Sequence, residues 1–293
     1  MATLYIVGTP IGNLEDITLR ALKVLSDVDV ILCEDTRTTA KLLARHGISK
    51  KTLSYHMHSG LSRVEDIIGL LKSGKNLALV SDAGTPGISD PGSELVKRVR
   101  EAFDREVFDL NTGDLNASGA KGSRSSQEHS PVSLYESDKK VDTFEEIVKV
   151  ESVPGPSALT AAISIAGVSC ANFTFLGFLP HKKGRETLFN EIAASERTMI
   201  FYESPHRIMK TLESLEKHLK REEGVQQAIQ QDRAKIVSEE ACKEKGVNKR
   251  VTICRELTKI FEEVVSGTAE EVKNYFTSHS DKVRGEFVVM VSQ

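Results

Sequence analysis

Apolar residues in this chain fall into short unbroken runs, and amphipathic stretches of helical period lie between them. Leu77 to Val80 carries four apolar residues before Ser81-Asp82 and a Gly/Pro-rich run, which predicts a strand buried on both faces. Leu4 to Val7 and Val30 to Cys33 have the same form. Between them, Ile17, Ala21, Leu25 and Val28 recur near helical spacing, with Asn13 as the expected cap and Asp16 three residues on. A further helix runs to His46 and stops at Gly47, and others span Arg63 to Lys72 and Ser93 to Phe103. Alternating strands and helices of this kind predict a mainly parallel sheet covered by helices.

The pattern fails from Asp104 to about Lys140, a polar, serine-rich stretch without sustained period that reads as a mobile surface insertion. Ile147 to Val153 predicts the next strand, running into Pro154-Gly155-Pro156-Ser157, whose serine is expected to cap a helix from Ala158 to Ala166. Small residues on that helix suit close approach to a sheet or ligand. Strands follow at Phe173 to Phe178 and Thr198 to Tyr202, then a helix with Ile208, Leu212, Leu215 and Leu219. A second polar stretch covers Arg221 to Lys249, after which come strand Val251 to Cys254, helix Thr268 to Phe276 and a last strand ending at Val291. The expected organisation is an α/β domain over residues 1–154, with an insertion at about 104–146, and a second over 155–293, with an insertion at about 221–249. Both insertions join a helix to a strand, so they belong at the amino ends of the strands, away from the crevice where such folds bind ligands.

Composition narrows the partners. Lys and Arg number 39 against 42 Asp and Glu, a formal net charge of −3, so nucleic-acid contact has to come from a local basic face. The four cysteines lack any C-x-x-C spacing, as expected of reduced thiols in a cytoplasmic protein. No export signal or membrane span is read from the sequence.

The candidate chemistry collects in loops that follow strands. In the stretch from Ser81 to Gly92, Gly84, Gly87 and Gly92 permit close backbone approach, Pro86 and Pro91 limit the loop's freedom, and Asp82 and Asp90 add acceptors. The first loop, GTPIGN, is neither a G-x-G-x-x-G fingerprint nor a Walker loop, which removes the main sequence argument for a nicotinamide or nucleoside triphosphate site. Glu34, Asp35 and Arg37 follow the second strand. His56 and His58 lack an evident third ligand, and no metal site is expected.

Eight blocks in one order, TPIGNLEDITLRAL, CEDTRTT, VSDAGTPGISDPG, PGPSALTAA, FTFLGFLPHKKGR, FYESPHRI, RELTK and GEFVVMV, resemble the bacterial 16S rRNA 2′-O-ribose methyltransferase I family of the tetrapyrrole methylase superfamily. The resemblance covers most of the chain outside the two polar stretches. It implies two α/β domains, the second with a mixed sheet, a homodimer, and S-adenosylmethionine folded into the cleft between the domains. The implied substrate is a decoding-centre cytidine of the small ribosomal subunit, cytidine 1402 in the family. Carried over by position, the resemblance puts Pro10, Asp82, Ala83, Gly84, Ile88, Ser157, Ala158, Tyr202 and Glu203 beside the methyl donor.

Glu34, Asp35 and Glu203 are the candidate general bases, since each follows a strand at the crevice. The competing reading is that Glu34 and Asp35 pair with Arg37 or cap the next helix. Arg37, Lys41, Lys182, Lys183, Arg185 and Arg207 are the candidate phosphate contacts. The polar stretches depart from the family pattern and bear on dimer contacts and docking of a large RNA particle. The further C-terminal segment of many relatives is expected to be absent, and with it any RNA contact made there. Two other functions fit part of the same sequence: a superfamily methyltransferase acting on a small molecule or protein, and an inactive ribosome-associated binding protein.

Overall fold

The computed structural model describes residues 1–57, 59–116, 148–220 and 249–293, with side chains of 105–116 excepted. The chain forms two compact units. The first holds Met1–Thr9 and Ile17–Gly155, the second Pro10–Asp16 and Pro156–Gln293.

In the first unit the strands are β1 (Ala2–Val7), β2 (Val30–Cys33), β3 (Lys51–Ser54), β4 (Leu77–Val80) and β5 (Val148–Val153). Their order is β3-β2-β4-β1-β5, and every neighbouring pair is parallel. The helices are α1 (Leu19–Asp27), α2 (Thr36–Arg45), α3 (Leu61–Lys72) and α4 (Gly92–Asn116). The apolar runs have a direct explanation in the period of two along a strand. Leu32, Leu77 and Leu79 enter one core with Ile67 and Leu71 of α3 and Leu95 and Val99 of α4. Ile31, Cys33, Ala78 and Val80 enter the opposite core with Ala21 and Leu25 of α1 and Leu43 of α2. Both faces are covered, so no polar position interrupts the central strands.

Three local expectations are corrected. Helix α1 is capped by Thr18, whose hydroxyl accepts from Ala21 N at 3.0 Å, while Asn13 accepts from Glu15 N in a separate 3-10 turn. The periodic residue Ile17 precedes the cap and packs on the core without being helical. Edge strand β3 escaped the apolar-run criterion because it presents one apolar residue, Leu53, among polar neighbours. Helix α4 continues past Phe103 to Asn116, and the spacing of Phe103, Val107 and Leu110 in the sequence is compatible with that continuation. The rest of the first polar stretch, the start of the next strand at Ile147, the second polar stretch over 221–248 and His58 lie outside the described residues.

The second unit contains α5 (Ala158–Ile165), β6 (Phe173–Phe178), α6 (Arg185–Ala194), β7 (Thr198–Glu203), a helix α7 over 208–220, β8 (Arg250–Arg255), β9 (Glu263–Gly267), α8 (Ala269–Ser278) and β10 (Phe287–Ser292). The strand order is β6-β7-β10-β8-β9, parallel between β6 and β7 and antiparallel elsewhere, the expected mixed sheet. One face packs Phe201, Ile253 and Val289 against Phe189 of α6, Leu212 of α7 and Phe276 of α8. The other packs Ile200, Cys254 and Met290 against Ala162 and Ala166 around α5, together with Ile11. Helix α8 starts with a capping box between Thr268 and Glu271. Strand β9 is the second unforeseen edge strand, with its inner and outer positions alternating in burial.

Gly8 and Gly155, beside the points where the chain passes between units, touch backbone to backbone. Gly8 N donates to Val153 O at 3.0 Å, and a Cβ on Gly8 would stand 2.8 Å from the Gly155 Cα. Gly8→Ala and Gly155→Ala are each expected to lower the unfolding free energy by about 1–3 kcal/mol through overpacking. Gly69→Ala, exposed on α3 with open space at its Cβ, is expected to raise it by about 0.5–1 kcal/mol. Urea denaturation of the three variants checks both signs.

Candidate active-site loops

In the first unit the loops beyond the carboxyl ends of β1, β2 and β4 hold one another in place. Thr9 and Gly84 form an isolated antiparallel bridge, with N–H···O distances of 2.9 and 3.0 Å, and the Thr9 hydroxyl donates to Ser81 O and Gly84 O. Gly84 and Gly87 have φ of 82° and 91°, a region that L side chains avoid. Asp90 Oδ1 accepts from both Gly87 N and Gly92 N at 2.8 Å, closing the loop on itself. Asp82 Oδ1 accepts from Asp35 N at 3.0 Å, and Glu34 Oε1 accepts from Asp82 N at 3.4 Å, so the loops after β2 and β4 are cross-linked. Ala83 is exposed, and Ile88 is 37% exposed.

The acidic neighbours Glu34 and Asp35 differ in kind. Asp35 caps α2 by accepting from Arg37 N, and its carboxylate pairs with the Arg37 guanidinium at 2.7 Å. The side-chain bonds from Arg37, followed by its backbone N–H, hold Asp35 at about 2. Glu34 is half-buried; burial, then the charges of Asp82 and Asp90, push its carboxyl above the ordinary glutamate value. The capping alternative therefore describes Asp35, whereas Glu34 accepts from the Asp82 N–H.

In the second unit, Ser157 occupies the N-cap of α5 with extended backbone, yet its hydroxyl makes no capping bond. Its Oγ is buried beside the Tyr202 phenol. Tyr202 stands nearby: burial pushes its phenol up, against a smaller opposing effect of the Leu159 backbone and the Ser157 hydroxyl. Its ring meets Phe175 and Phe178 edge-on at centroid distances of 5.0 and 5.5 Å. Pro10 is buried in the segment that joins this unit, and the same segment seats on the loop after β8, where Asn13 N donates to Thr258 Oγ1 at 3.0 Å. That loop carries two non-glycine residues in left-handed conformation, Glu256 at φ 51° and Thr258 at φ 65°. Sequence pattern gave no sign of this strain.

Glu203 is fully committed. Its Oε1 accepts from Ser204 N at 2.8 Å and pairs with Arg207 Nε at 2.7 Å; its Oε2 accepts from Thr211 Oγ1 at 2.7 Å with Arg185 Nη2 at 3.7 Å. Arg207 also donates to Leu179 O, and Arg185 donates to Pro180 O and Thr211 and lies over the Phe189 ring. Arg185 and Arg207, expected among the phosphate contacts, are thereby held in a largely buried network around the single carboxylate of Glu203. The four-residue spacing of Glu203 and Arg207 in a helix-initiating loop was the available clue; nothing in the sequence pointed to Arg185. Lys41, Lys182 and Lys183 are exposed, and Arg37 is exposed but paired. Among the described residues no group of three or more His, Cys, Asp or Glu could hold a metal ion, and no helix is long and apolar enough to cross a membrane.

The family model for tetrapyrrole (corrin/porphyrin) methylases matches residues 3–107 and 135–273. The chain is 35% identical to ribosomal RNA small subunit methyltransferase I of Thermotoga maritima over 292 residues, all of this chain and 99% of that protein. It is 37% identical to the protein of the same name from Vibrio cholerae, over 98% of this chain and 76% of that one. The chain belongs to the tetrapyrrole methylase family, on its ribosomal RNA small subunit methyltransferase I branch. Solved methylases share the fold. The methyltransferase CobJ has a TM-score of 0.54 at 14% identity, covering 100% of this chain and 93% of that one. A Thermus thermophilus uroporphyrin-III C-methyltransferase, solved with S-adenosylhomocysteine, has 0.52 at 15%, covering 99% and 97%. In this methylase the self-bonded Ser81 to Gly92 loop and the buried, non-capping Ser157 hydroxyl are features unlike ordinary surface structure.

Glu203→Ala leaves two largely buried guanidiniums without a counter-charge and is expected to lower stability by about 3–5 kcal/mol in denaturant titration. Carboxyl-carbon NMR titration should separate the neighbours, with Asp35 titrating at about 2 and Glu34 above the ordinary glutamate value. The signs are opposite. Asp35 contributes stability above its unfolded value, lost as pH falls towards 2; ionisation of Glu34 reduces stability as pH rises from its unfolded value through its raised folded one.

Proposed function

We propose that this chain transfers the methyl group of S-adenosylmethionine to the ribose 2′-hydroxyl of a cytidine in 16S rRNA of the small ribosomal subunit. The observation that carries the reading is the full-length similarity to proteins named for small-subunit rRNA methylation, at 35–37% identity, against 14–15% to the small-molecule methylases. The residues suit the donor. The buried Ser157 hydroxyl at the start of α5, which makes no capping bond, offers a polar group to its ribose or amino-acid end, as do the free N–H groups of a helix N-terminus. Gly84 lets backbone approach it closely, and Pro10, Asp82, Ala83, Ile88, Ala158 and Tyr202 complete the proposed contact set; Glu203, next to Tyr202, is held by Arg185, Arg207 and Thr211.

When bound, the donor supplies a methyl carbon already activated by its sulfonium. The protein has to align the sugar oxygen, exclude water and remove one proton. Alignment supplies ~7–11 kcal/mol and a general base ~3–5 kcal/mol, so the pre-formed loops matter more than the base. Glu34 is the proposed base, because its raised pKa lies nearer working pH than that of Asp35, while Glu203 has no oxygen free for a substrate proton. Lys41, Lys182 and Lys183, with Arg37, are the proposed phosphate contacts, which position RNA without reading its sequence. A homodimer in the cytoplasm is part of the same proposal.

Purified protein incubated with methyl-labelled donor and small subunits lacking the modification is expected to label one cytidine ribose, mapped by nuclease digestion. Label on a tetrapyrrole or a protein side chain, with none on RNA, overturns the reading; donor binding without transfer to any substrate favours an inactive binding protein. Glu34→Gln is expected to lower kcat by ~10²–10⁴-fold and to remove the acid limb of the pH profile, with donor affinity unchanged.

A further inference from the structure

A pocket of about 340 Å³ opens in the first unit, bounded by the residues after β3, the loop after β4 and the first turns of α3 and α4. Nothing in the donor contact set lines it. Tyr55, 4% exposed, is its most buried aromatic lining residue, and Val64, Met57 and Leu61 add apolar lining. Met57 and Leu61 are 77% and 66% exposed, large apolar side chains standing in water at the rim. Its polar lining comprises Asp90, Glu94, Arg98, His56, Ser59 and Ser93.

The polar groups define what fits. Asp90 Oδ1 is committed to Gly87 N and Gly92 N, but its Oδ2 has no partner among the described residues. Glu94 has one oxygen bonded to Arg98 Nε at 2.7 Å, which also neutralises the lining arginine. A pocket that joins apolar side chains with carboxylate acceptors, two serines, His56 and a paired arginine disfavours a phosphate and suits a neutral ring bearing N–H donors. The volume lies at the lower end of the range for small-molecule sites. Its surroundings are also informative. Tyr55 N donates to Cys33 O at 2.8 Å and the Ser54 hydroxyl to Glu34 O, so the Tyr55 lining is tied to the strand end that carries Glu34.

We propose that this pocket receives the target cytosine, turned out of its RNA stack, with the free Asp90 oxygen accepting its exocyclic amino group. The inference rests on the methyl-transfer reading and adds to it a base-selecting residue. Carboxylates accept from the cytosine amino group in protein–nucleic acid complexes, and enzymes acting on a nucleotide commonly extrude it from the stack. Uracil, with a carbonyl at that position, would face the Asp90 carboxylate acceptor to acceptor.

The test uses the full chain and two small-subunit preparations, one with cytidine and one with uridine at the modified position. Wild type is expected to prefer cytidine strongly. Asp90→Asn keeps an oxygen for the two loop N–H groups and turns the outward oxygen into a donor, so the cytidine-to-uridine ratio of kcat/KM should fall on the order of 10- to 100-fold. Donor affinity by calorimetry should stay unchanged. Leu61→Arg, at an exposed site, should block the pocket mouth and abolish transfer while donor binding persists. An unchanged ratio in an active Asp90→Asn enzyme, or wild-type transfer by Leu61→Arg, overturns the base pocket and leaves the methyltransferase reading standing. Wild-type protein that methylates neither RNA overturns both.

Discussion

The pairing of Thr9 with Gly84 is the constraint on which the site loops of the first unit depend. Two backbone bonds and a threonine hydroxyl join the ends of adjacent parallel strands, β1 and β4, beyond the point where sheet pairing stops. From that anchor Ser81 and Asp90 fold the next residues into a self-bonded turn, and Asp82 extends the order to the end of β2. A loop ordered before it meets a ligand loses little further entropy on binding. The acceptors left over, on Asp82, Asp90 and Glu34, are then held in fixed relation.

Much of this was legible in the sequence for a physical reason. Strands buried on both faces admit no polar residue, so β2 and β4 are visible as unbroken runs with the same bounds in pattern and structure. Two of the four edge strands lack that signature: β3 and β9 are stabilised by backbone pairing and mixed side chains, whereas the edge strands β5 and β6 carry enough apolar residues to be read. Thr18 in place of Asn13 as the α1 cap is a failure of another kind. Both residue types cap well, and the choice is made by Asn13 being drawn to Thr258, 245 positions away.

The site divides in the same way. Glycines at positive φ and acidic residues after strands can be read from local chemistry. The function of a charge cannot, because it is set by its partners. Arg185 and Lys182 belong to one basic cluster in the sequence, but one is enclosed with Glu203 and Thr211 while the other meets solvent. A buried Arg–Glu–Arg arrangement contributes little net stability over an apolar core, and its retention beside Tyr202 is better understood as fixing the end of β7.

The passage of Pro10 to Asp16 into the second unit bears on how the molecule is made. Strand β1 pairs with β5, more than a hundred positions downstream, and the turn after it rests on the Thr258 loop. During synthesis the earliest residues to emerge therefore wait for the latest ones before their contacts can close, and long-range closure of this kind slows assembly. A nascent chain halted near its middle would present β1 with one edge unpaired, a species for chaperones to shield and proteases to find.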